Sequence, residues 1–147
     1  MKTVALATLS FAISMTSPAL VLALVSVFAS HQRRPDAVGD FLVVLSLLAV
    51  SSALSTLGFM MATGLSAVWR SLATSRAVVI AGVLGLVAPV ASLFIAALGA
   101  AVLLPLFRSA PRLATTLFHL VPGVVLGAAA LLIARVWPAR RRRIQAH

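Results

Sequence analysis

The stretch AVVIAGVLGLVAPVASLFIAALGAAVLL, residues 77–104, runs for about 28 residues without a charged side chain. At about 1.5 Å per residue it would form a helix roughly 42 Å long, more than the roughly 30 Å of hydrocarbon in a bilayer. Its alternation is wrong for a membrane β-strand, which shows segments of about ten residues with every second side chain polar. In lipid, a helix is then the remaining way to satisfy each backbone donor and acceptor. Arg76 and Arg108 bracket the stretch, and charge of this kind recurs along the chain only between apolar runs.

Working outward, the same pattern occurs three more times, at about residues 4–29, 41–68 and 113–134. The separators are the polar run Ser30–Asp36 with Pro35, the turn Ser71–Arg76, and the loop Phe107–Arg112 that follows Pro105. The fold class expected is all-α: a multi-pass transmembrane bundle of four helices in a single domain over 1–147, ending in a short basic tail, 135–147. The first segment is expected to be retained, because its apolar part is about twice the length of a signal-peptide core.

The composition agrees. The 147 residues are 62% hydrophobic and 10% charged, against about 45–50% and about 25% in soluble domains. Twelve Lys and Arg against two acids give a net charge of +10. The basic residues sit at segment ends, so the phosphates they meet are those of lipid headgroups and not of nucleic acid.

The distribution of these charges predicts an orientation. With four spans, Lys2, Arg70, Arg76, Arg135 and Arg140–Arg143 share one side, eight in all, and Arg33, Arg34, Arg108 and Arg112 share the other. The positive-inside rule puts both termini in the cytoplasm of a bacterial cell (inner) membrane protein. Trp69 and Trp137 fall at segment ends on that same side, where they read as interface anchors.

Several residue groups are candidates for function. Arg140, Arg141, Arg142 and Arg143 form a topology determinant and a contact for anionic lipid headgroups, contributing at most about 1 kcal/mol per charge. Small residues recur at four-residue spacing at Ala77, Ala81 and Gly85, and again as the pair Gly123 and Gly127. Such stripes let helix backbones approach closely, within the chain or at a face for a membrane-protein partner or second copy. Ser52, Ser55, Thr56, Thr63 and Ser66 share one helical face, as do Thr3, Ser10, Ser14 and Ser17. These hydroxyls either bond to helix carbonyls or line a polar path. Pro18 and Pro89 sit at matching depths in the first helix of each hairpin, an arrangement that points to a transporter site. His119 reads as an interfacial, hydrogen-bonded imidazole.

Absences narrow the chemistry further. With no Cys, Glu or Tyr, thiol enzymes and Glu-dependent proton exchange are excluded. Small multidrug resistance proteins are similar in length and span count only, since they depend on a membrane-embedded Glu. No cofactor or metal is expected, because His31, His119 and His147 lie far apart in the sequence. No nucleophile–base or carboxylate pair can be assembled from the sequence, so no enzyme is expected. The function expected is that of a non-enzymatic interaction or accessory component of the membrane; the alternative is a small transporter or channel for an uncharged or anionic solute.

Overall fold

A computed structural model describes residues 1–31 and 37–144, with side chains up to Trp137. These form five helices: α1 (Lys2–His31), α2 (Ala37–Gly64), α3 (Ala67–Ser71), α4 (Thr74–Ser109) and α5 (Pro111–Ile144). No strand occurs among the described residues. Helices α1, α2, α4 and the Pro111–Trp137 part of α5 are long and apolar enough to cross a membrane. Their outer faces carry exposed Leu, Val and Phe, such as Phe94, Leu98 and Val102, as acyl chains require of the protein surface they wet. The side chains of Arg140–Arg143 lie outside the described residues.

The fourth apolar run does not stop near Ala134, because α5 continues as helix into the expected tail, to Ile144. Three other boundaries also differ from the sequence expectation, each for a local reason. The second apolar run does not continue to Val68. It breaks after Gly64, the Ser66 amide bonds the Thr63 carbonyl, and α3 begins as a separate short helix. Pro105 does not end the third segment; α4 runs on to Ser109. A proline removes one N–H and crowds one carbonyl, a local loss that a long helix in lipid tolerates. The loop expected over Phe107–Arg112 shrinks to Ala110. Its amide closes α4 on the Leu106 carbonyl and its carbonyl opens α5 by accepting from Ala114, with Pro111 in the first helical position, where no N–H is needed.

The long helices pack as a ring in the order α1, α2, α5, α4, and each packs extensively only with its ring neighbours. Neighbours along the chain, α1 with α2 and α4 with α5, are antiparallel hairpins. The other two pairs are parallel. Along α1 and α4, Thr3 meets Thr74 at 3.3 Å and Ser10 donates to the Val78 carbonyl at 3.3 Å. Further on, Phe11 and Ser14 lie against Gly85. Along α2 and α5, Ser51 meets His119, Ser55 donates to the His119 carbonyl, and Phe59 and Ala62 lie against Gly127. Helix α2 and helix α4 therefore stand on a diagonal, and α3 carries the chain across the end of the ring, touching α5, α1 and α2.

That crossing changes the role of Trp69. It is fully buried and not an interface anchor, because it rides on α3 beneath the ring and not at its lipid rim. Its ring meets Phe59 edge-on at 6.1 Å, and Phe59 stacks on Phe11 at 4.2 Å. These three aromatics, with Ala7, Ile80, Ala81, Ala130 and Ala134, form a dense core at the α3 end. Trp137 stays exposed.

Candidate binding cavity between the helices

The small residues determine where the ring can close. A Cβ on Gly123 would land on the Ser55 backbone, one on Gly127 within 2.6 Å of the Ala62 side chain, and one on Gly85 within 2.6 Å of Ser14. Gly58, on the facing side of α2, meets the Leu120 carbonyl and Val124 in the same way. Ala77, Ala81 and Ala88 are fully buried. These contacts draw the helices together in the half nearest α3. In the other half bulkier residues take over, and the helices part around a cavity of about 450 Å³.

All four long helices wall this cavity. Met15, Ala19 and Leu22 come from α1, Leu48 from α2, Leu93 and Ala96 from α4, and Phe118 from α5. The polar groups are Ser51, Ser52, Ser55, Ser92 and His119, and no charged side chain lines it. Pro89 and Pro122 lie in the wall on adjacent helices. Each lacks the N–H that would bond the carbonyl four residues earlier, at Gly85 and Phe118 respectively. Pro18 does not line the cavity.

The hydroxyls differ in what they have left to offer. Ser55 donates to the His119 carbonyl at 2.8 Å, and Ser92 to the Pro89 carbonyl at 2.9 Å, so both protons are engaged. Thr63, deeper in the core, donates to Phe59 within its own helix at 2.8 Å. Thr56 faces a lipid-side groove between α1 and α2, a groove that Ser52 also borders. The Ser52 hydroxyl makes no hydrogen bond with a described residue. His119 meets Ser51 through Nδ1 at 3.2 Å, which leaves Nε2 as its second polar atom. Ser52 therefore has its proton to spare, and the Ser51–His119 pair has one as well, on Nε2 or on the Ser51 hydroxyl according to the tautomer.

The Ser51–His119 contact corrects one expectation: the fold does assemble a hydroxyl beside an imidazole. The rest of a nucleophilic site is missing among the described residues. No carboxylate orients the ring, and the surrounding backbone N–H groups are in helix interiors, committed to their own carbonyls, so none can serve an oxyanion. No cluster of three potential metal ligands occurs among the described residues. Gly58 was missed from the sequence, although Ser51, Ser55, Gly58 and Ala62 form a small-residue stripe at alternating spacings of four and three.

Comparison with known protein families, with characterised proteins and with solved structures finds no match to this chain.

Proposed function

We propose that this small membrane protein works by binding and not by catalysis. Between its helices it holds an uncharged, largely apolar molecule that carries a carbonyl or hydroxyl group. The observation that carries this reading is the chemistry of the cavity wall: mostly hydrocarbon, no charge, and spare hydrogen-bonding capacity at Ser52 and the Ser51–His119 pair. Its volume of about 450 Å³ falls in the range of small-molecule sites, about 300–1,000 Å³. An ionised ligand would lose its hydration there with no opposite charge to replace it. The small-residue stripes face neighbouring helices of the same chain, which weakens the case for an accessory subunit that docks through them.

Benzophenone, an uncharged apolar ketone that photolabels methionine readily, tests the proposal in liposomes. Met15 is 6% exposed and borders the cavity, whereas Met60 and Met61 are 45% and 50% exposed on the outer surface. Saturable labelling is expected at Met15, lost in Ala19→Phe, beside non-saturable labelling at Met60 and Met61. An unlabelled Met15, or labelling that Ala19→Phe leaves unchanged, overturns the reading.

We further propose that both termini and α3 face the cytoplasm, supported by the eight-to-four distribution of Lys and Arg. Reporter fusions after residue 73 and after His147 should read cytoplasmic, and one after Ser109 periplasmic. A periplasmic readout at either of the first two refutes this orientation.

A further inference from the structure

Outside the cavity, α2 and α5 leave a second void between them, a groove of about 530 Å³ on the lipid-facing side. The two helices run parallel, so the groove has a defined polarity. Arg112, the second residue of α5, marks its mouth, and Thr115 and Thr116 follow one turn below. Leu47, Val50 and Leu54 of α2 line its apolar wall. From Arg112 to the His119 level, where the groove meets the cavity wall, is about 10 Å along α5.

We propose that this groove is a binding site for one phospholipid, with the phosphate at Arg112 and an acyl chain along Leu47, Val50 and Leu54. Charge complementarity selects the occupant. Arg112 is exposed and forms no ion pair with any described residue. Ser46, Thr115 and Thr116 already donate to the Leu42, Pro111 and Arg112 carbonyls. Their protons are spent, and His119, the remaining polar side chain of the wall, lies seven residues, about 10 Å, further along α5, so Arg112 carries the recognition of phosphate at the mouth. An anion without a hydrocarbon chain would leave the Leu47–Leu54 trough unfilled. A neutral diacylglycerol would leave Arg112 unpaired. A phospholipid satisfies both ends of the groove.

The site does not depend on the cavity ligand, and native mass spectrometry in mild detergent tests it by itself. Phosphatidylglycerol is titrated against the full chain, beside diacylglycerol, which lacks the phosphate, and glycerol phosphate, which lacks the chains. One phosphatidylglycerol should be retained, and Arg112→Gln should weaken its binding about tenfold, the order expected for one charge-assisted contact. Arg108→Gln, at the same end of the fold but outside the groove, should leave binding unchanged. Val50→Trp, which fills the trough, should abolish the retained lipid while Met15 photolabelling persists, which also shows that the variant is folded. Equal binding of diacylglycerol, competition by glycerol phosphate alone, or equal effects of the two arginine substitutions would each overturn the proposal.

Discussion

Gly123→Ala is expected to destabilise the protein by about 1–3 kcal/mol or more, although it adds a single methyl group to a helix. The added carbon would lie on the Ser55 carbonyl group and 2.9 Å from the Ser55 Cα, and those atoms are backbone, with no rotamer to yield. Helix α2 would have to move away from α5, stretching the Ser55–His119 bond and opening the seam that Gly58 closes from the other side. Gly99 is the control, because a Cβ there meets nothing within 4 Å. By helix propensity alone, Gly99→Ala should gain up to about 1 kcal/mol. Melting curves in one detergent should therefore move in opposite directions for the same chemical change. A Gly123→Ala protein that melts at or above the parent temperature would mean that α2 and α5 are not packed through this glycine.

Trp69→Ala is expected to be as damaging, at about 3–5 kcal/mol, since it empties the middle of the core at the α3 end. Trp69→Phe should be much milder. It keeps an aromatic edge toward Phe59 and removes the indole N–H, the one buried side-chain polar atom among the described residues with no hydrogen-bond partner, whose burial costs about 1–3 kcal/mol. The comparison separates packing from polarity in one position. If the Phe variant melts as low as the Ala variant, the indole N–H is bonded in solution, and its burial carries no such penalty.

The four spans could be read from the sequence because each is set by one property, an uncharged run longer than the bilayer is thick. What could not be read depends on contacts between runs. Nothing in the hydropathy of residues 41–68 separates Leu65, Ala67 and Val68 from the helix before them, so the break that creates α3 was hidden. Trp69 was then assigned to the membrane rim by the general habit of tryptophan and not by its own position in the fold. The pairing of α1 with α4 and of α2 with α5 has no signature in any single segment. Of the cavity, Ser52, Ser55, Pro89 and His119 were visible as polar or helix-breaking residues in apolar surroundings. Ser51, Ser92 and Pro122 joined them only once the ring order was known.

The diagonal route of the chain also bears on biogenesis. The parallel partner of α1 begins at Thr74 and that of α2 at Pro111, so the first hairpin leaves the ribosome before either partner has emerged. Cross-helix bonds such as Thr3–Thr74 and Ser51–His119 span about 70 residues of sequence. The first hairpin must wait in lipid with the small faces of Ser14 and Gly58 unclaimed until the second docks beside it. Insertion and docking are then separate events in time. A lesion at Gly85 or Gly123 would leave insertion untouched and arrest the chain afterwards, as two threaded hairpins that fail to dock and pass to the membrane's quality-control proteases.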